Sequence, residues 1–125
     1  MIDPPAGIPA NVDVQLDAKK LLRRVPAGVR ALLVETLEVM ERSAQEYSAP
    51  VVRMELIAER DPESGTEKVV VRQRVLTSHE MAMDYWAKMG DDVDRWTRQL
   101  PELAADQLGE WVAFDVHPEA NDAAA

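Results

Sequence analysis

Residues 51–76 read VVRMELIAERDPESGTEKVVVRQRVL, and the phase of this stretch decides the fold. From 51 to 59 the even positions Val52, Met54, Leu56 and Ala58 are apolar. The odd ones carry Arg53, Glu55 and Glu59, with Ile57 the exception. From 67 to 76 the phase reverses: Val69, Val71 and Val75 hold odd positions, and Lys68, Arg72 and Arg74 hold even ones. A period of two is what a strand with one covered and one wet face requires. Between the runs, Asp61-Pro62-Glu63-Ser64-Gly65-Thr66 supplies turn chemistry, Pro62 fixing φ and Gly65 tolerating φ > 0. The stretch predicts an antiparallel β-hairpin.

Charge sets its register. Pairing Glu59 with Lys68 and Glu55 with Arg72 puts opposite charges directly across the ladder, each pair contributing up to about 1 kcal/mol. The same register pairs Ala58–Val69, Leu56–Val71, Met54–Gln73 and Val52–Val75 on the inner face. On the outer face it pairs Ile57–Val70 and Arg53–Arg74. A slip of one residue would bury charged side chains, so this register is the expectation.

Upstream of the hairpin, Val29, Leu33, Leu37, Met40, Ala44 and Tyr47 recur at intervals of three and four, the stripe of an amphipathic helix. Pro26 suits its first turn, Pro50 stops it, and Glu38 and Arg42 form a favourable i,i+4 pair, so a helix is predicted over 26–47. Residues 12–24 read two ways. Val12, Val14 and Leu16 alternate like a strand, whereas Asp17 as a cap and Lys19, Lys20, Arg23 and Arg24 in the last turns favour a short helix over 17–24. Downstream, Thr77 followed by Glu80 has the spacing of a capping box. The stripe Ala82, Tyr85–Trp86, Met89, Val93, Trp96, Leu100 then predicts a second long helix ending at Pro101. Residues 101–108 form a further helical segment that Gly109 should terminate, and Trp111–Val116 reads as a third strand. The expected fold is α+β, an antiparallel hairpin packed with two long amphipathic helices in the order α-α-β-β-α-α-β. A flexible arm (1–11) precedes a single domain (12–117), and a disordered tail (118–125) follows it.

The chain has 125 residues, 46% apolar and 30% charged, enough for one self-supporting core. It has no cysteine, which excludes disulfides, zinc–thiolate sites, iron–sulfur clusters and thiol catalysis. The formal charge is −9, unevenly spread. Residues 1–34 carry five bases and three acids (+2), residues 35–76 six and nine (−3), and residues 77–125 three and eleven (−8). Such a field repels nucleic-acid backbone and anionic membrane and suits a basic partner. The opening Met-Ile-Asp-Pro-Pro lacks the regions of a secretory signal and no apolar run approaches a membrane span, so a cytoplasmic protein is expected.

Catalytic chemistry has little foothold. Position 83, four after His79, is Met rather than a second ligand, so the His79-Glu80 pair does not complete a zinc-protease motif. The aspartates Asp84, Asp91, Asp92 and Asp94 lack the spacing of a calcium loop, and Arg95 and Arg98 lie close enough to neutralise them; a metal-dependent hydrolase built on them is the weakest reading. His117 stands beside Pro118 at the head of the expected tail. The sequence gives no glycine-rich phosphate loop and no Gly-x-Ser-x-Gly elbow, and no cofactor or metal is expected.

The tryptophans carry more information. Trp86, Met89, Val93 and Trp96 share a helix stripe, and Ile57 and Val70 lie on the outer hairpin face, so more apolar surface is expected than a small sheet can hide. The leading expectation is a non-enzymatic protein-interaction module, a homodimer binding a partner protein through these six residues. The alternative is a regulator contacting DNA phosphates through Lys19, Lys20, Arg23 and Arg24. The hairpin turn Glu59–Gly65, flanked by alternating Val, Ile and Leu, resembles small prokaryotic proteins, some suspected of acting as antitoxins. In bulk properties the chain is similar to bacterial secretion chaperones, which implies an adaptor-like role.

Overall fold

The computed structural model describes residues 7–119. The elements run β1 (Asp13–Val14), α1 (Leu16–Leu22), α2 (Ala27–Tyr47), β2 (Val51–Arg60), β3 (Glu67–Val75), α3 (His79–Thr97), α4 (Glu102–Trp111) and β4 (Val112–Pro118). The fold is α+β, with one mixed four-stranded sheet in the order β1-β2-β3-β4. β2 and β3 form the antiparallel hairpin, while β1 joins β2 and β4 joins β3 in parallel. The expected order lacked β1, so both readings of residues 12–24 hold in part: two residues of strand, then a helix that starts at Leu16 with Gln15 as its cap rather than Asp17.

The hairpin register follows the charge argument from Arg53–Arg74 through Glu59–Lys68 and extends to Arg60–Glu67. It departs at one end, where Val75 pairs with Val51 instead of Val52. Val52 is the extra residue of a bulge, which releases it from the inner face and leaves it exposed. Gly65 holds the tight turn at φ +73°, a conformation that a side chain would strain.

Two long connections cross over the sheet, α1–α2 between β1 and β2, and α3–α4 between β3 and β4. Both lie on the face of Leu56, Val71 and Gln73. The Gln73 side chain donates to the Met40 carbonyl of α2 and accepts from the Tyr85 hydroxyl of α3. Strand direction reverses between the two crossovers while the step across the sheet does not. The crossovers therefore have opposite hands, and one of them departs from the right-handed rule. The enclosed core gathers Leu21 and Leu22 of α1, Leu33 and Met40 of α2, Tyr85 and Met89 of α3, Leu108 of α4 and the inner residues of the sheet.

The other face of the sheet carries no helix among the described residues and is dressed with ion pairs instead. Arg72 donates to both oxygens of Asp115 at 2.9 and 2.8 Å and reaches Glu59 at 3.1 Å, tying β2, β3 and β4 together. Arg74 holds Glu55 at 2.8 Å, and Glu55 is only 3% exposed. Val70 lies within this layer and is buried, because long basic side chains shield apolar surface with their stems.

Several boundaries differ from expectation. α3 is capped by Ser78, whose Oγ accepts from the Met81 amide at 3.2 Å, so the expected Thr77–Glu80 box is displaced by one residue. α4 runs through Gly109 to Trp111 and passes directly into β4, its Gly109 carbonyl bonded by Lys68 Nζ at 2.8 Å. His117 belongs to β4, beside Arg74, not to a tail. In the expected arm, Ile8 packs into the core, and the Pro9 carbonyl accepts from the Val12 amide at the start of the domain. Residues 1–6 and 120–125 of the expected arm and tail lie outside the described residues.

Candidate interaction surface

Parallel pairing with β3 uses one side of β4, and among the described residues no strand pairs with the other. The strand therefore presents up to seven residues of edge, Val112–Pro118. Its pairing with β3 turns Val112, Phe114 and Val116 toward the helices and Ala113, Asp115 and His117 toward the open face. α3 runs alongside. Between α3 and the edge lies a shallow groove of about 440 Å³ lined by Met83, Trp86, Ala87, Gly90, Asp91 and Phe114. Trp86 is 36% exposed, and Phe114 is partly buried. An edge strand flanked by an apolar groove offers two kinds of contact together, backbone hydrogen bonds and pockets for alternate side chains.

Of the six residues expected to form the contact surface, three cannot do so in this fold. Met89 is fully enclosed, Val93 is 4% exposed and Val70 lies in the ion-pair layer. The stripe that marked them is the face α3 turns to the core. Trp86 borders the β4 groove, Ile57 is half-buried on the open sheet face, and Trp96 lines a separate cleft between α2 and α3 with Val39, Arg42 and Gln99. The structure does not bring these three together. Sequence reading passed over Phe114 and the edge itself. The aromatic and β-branched run Trp111–Val116 announces a strand, but which neighbour that strand takes is a tertiary matter.

A polar cluster clamps α2 to α3. Ser43 Oγ donates to Asp92 at 2.7 Å, and Lys88 Nζ lies 2.5 Å from Asp92 and 3.1 Å from Glu46. The lysine and the serine hydroxyl hold the Asp92 carboxyl below its ordinary range, and Asp92 in turn raises Lys88. Both groups are thus charged at neutral pH, and neither is poised to take the Ser43 proton. Among the described residues no three His, Asp or Glu side chains are grouped to hold a metal ion. Asp94 pairs with Arg98 at 2.6 Å and Asp92 with Arg95 at 3.6 Å, the neutralisation the sequence implied.

The basic cluster is split in use. Arg24 shares Glu67 with Arg60, both at 3.3 Å, while Lys20 on the seven-residue α1 and Arg23 just after it are exposed. No helix of the described residues is long and apolar enough to cross a membrane. Comparisons with protein-family models, curated proteins and solved structures return no match to the chain.

Proposed function

We propose that the protein is a non-enzymatic interaction module of the chaperone or adaptor kind, a homodimer that holds a basic partner protein in the cytoplasm. The observation that carries this reading is the edge of β4, which no strand of the described residues pairs, beside the partly exposed Trp86. The rest of the sheet is guarded: its open face is laced with ion pairs, and the opposite edge is partly occupied by β1. Charge supports the partner's chemistry. Residues 77–125 carry eleven acids against three bases, and Asp84, Asp91, Glu102, Asp106 and Glu110 are exposed. Such a field speeds encounter with a basic protein and rejects acidic ones.

The test is a pull-down from the native host with the wild-type chain and with Trp86→Glu, together with light scattering. The reading expects a retained basic protein that is released as salt shortens the screening length to about 3 Å near 1 M. It also expects weaker assembly in the variant. A chain that stays monomeric and retains no protein overturns it.

A further inference from the structure

We propose that the edge of β4 is occupied by β4 of a second copy, paired antiparallel across a two-fold axis through Phe114, to give one continuous eight-stranded sheet. This rests on the interaction reading above and specifies its dimer.

The argument is one of register. A two-fold axis perpendicular to the sheet keeps the helices of both copies on one face, and directly opposed residues of an antiparallel pair point to the same face. The axis must therefore pass through a residue position. Centred on Phe114, the pairing sets Phe114 against its own mate and Val112 against Val116, so the inner face is apolar throughout. On the open face it sets Ala113 against Asp115. The five residues from Val112 to Val116 then pair, and Pro118, which has no amide hydrogen to donate, falls outside.

Moving the axis one residue onward places Asp115 against Asp115, a like-charge pair at the closest separation a sheet allows. Moving it one residue back leaves only Val112–Phe114 of the strand paired, three residues instead of five. In the favoured register the Asp115 carboxylate is already bound at both oxygens by Arg72 of its own chain, and it meets only the methyl of Ala113. The same axis brings the second α3 alongside the first, over Met83, Trp86, Ala87 and Gly90. A Cβ placed on Gly90 would meet nothing within 4 Å, so the backbone there leaves room for a neighbouring helix.

The chain has no cysteine, so single introduced thiols report the register directly. Opposed Cβ atoms lie about 4.5–5.5 Å apart, within reach of a disulfide after small shifts, whereas Cα atoms more than about 7 Å apart cannot be bridged. Sedimentation of the wild-type full-length chain should show a dimer. Under mild oxidation Phe114→Cys should link to its mate, Ala113→Cys alone should not, and a mixture of Ala113→Cys and Asp115→Cys should give the mixed disulfide. Trp86→Glu should raise the dimer dissociation constant at least tenfold, with its circular dichroism unchanged.

A monomer at about 100-fold above micromolar concentration overturns the proposal. So does a dimer in which Ala113→Cys links to itself, or one that forms no disulfide at any of these positions. So does a monomer whose edge instead takes up an added extended peptide. A dimer of another register, or a monomer that still retains the basic partner, leaves the interaction reading standing. A monomer that retains nothing removes both.

Discussion

Gln73 is fully enclosed, yet it is amide rather than hydrocarbon. Its Nε2 donates to the Met40 carbonyl at 3.3 Å and its Oε1 accepts from the Tyr85 hydroxyl at 2.5 Å, so one polar side chain fixes the spacing of β3, α2 and α3. Replacing it by Leu strips the Tyr85 hydroxyl of its closest partner and should cost about 1–3 kcal/mol in urea unfolding. The double change Gln73→Leu with Tyr85→Phe should cost less than the two single costs added together, since the hydroxyl left with only the Met40 carbonyl goes as well. Burial pushes the Tyr85 phenol well above its ordinary value of 10.0. The neutral form is thus bound into the fold, and its contribution is full below pH 10 and declines as pH rises above that value. Asp92 behaves oppositely. Its folded value lies below 3.8, so its contribution is present above that pH and is lost as pH falls through the lowered value. Stability measured between pH 5 and pH 2 (a range spanning the ordinary carboxylate values) should therefore fall less steeply in Asp92→Asn than in the wild type.

At the scale of elements, two serines end helices in different ways. Ser78 caps α3 through its side chain, so Ser78→Ala should cost about 1 kcal/mol by thermal unfolding, and Thr77→Ala much less. Ser48 closes α2 in the left-handed region at φ 59°, with the next amide, of Ala49, returning to the Ala44 carbonyl at 2.9 Å. A side chain in that region is strained, and Ser48→Gly should stabilise the protein by up to about 1 kcal/mol in the same measurement. These ends show what local pattern can and cannot specify. The hairpin was legible almost to its last pair, because alternation and opposed charge act between neighbours. The bulge at Val52 was not, since the next in-phase apolar residue looks the same in sequence whether or not one residue is skipped. The strand reading at β1 lost to the helix reading because two residues carry too little period to decide. α4 outran Gly109, as packing of Leu108 and the bond from Lys68 outweigh the modest helix penalty of one glycine. Of the expected contact residues, Trp86 alone borders the β4 groove. Met89 and Val93 were misassigned, for the stripe that marks a helix face does not say whether a sheet or a partner covers it. Phe114 could be recognised only after β4 had a neighbour.

Over the whole molecule, helices cover one side of the sheet and charges the other. Arg72 is the hinge of that charged side, bound to Asp115 and Glu59 while itself only 13% exposed. Arg72→Met keeps the stem but leaves Asp115, 17% exposed, without its guanidinium. The variant should lose about 3 kcal/mol toward urea, the scale expected when one partner of a largely buried pair is removed. The two margins of the sheet are unlike as well. On the β2 side the Val52 bulge, the two-residue β1 and the charged Glu59 and Arg60 blunt the strand, while among the described residues no strand covers the β4 side. A sheet with one receptive margin can gain a neighbour there only once. Joined through it as proposed, two copies would expose only blunted ends, and the sheet would stop at a pair where a symmetric one would run on into a fibril.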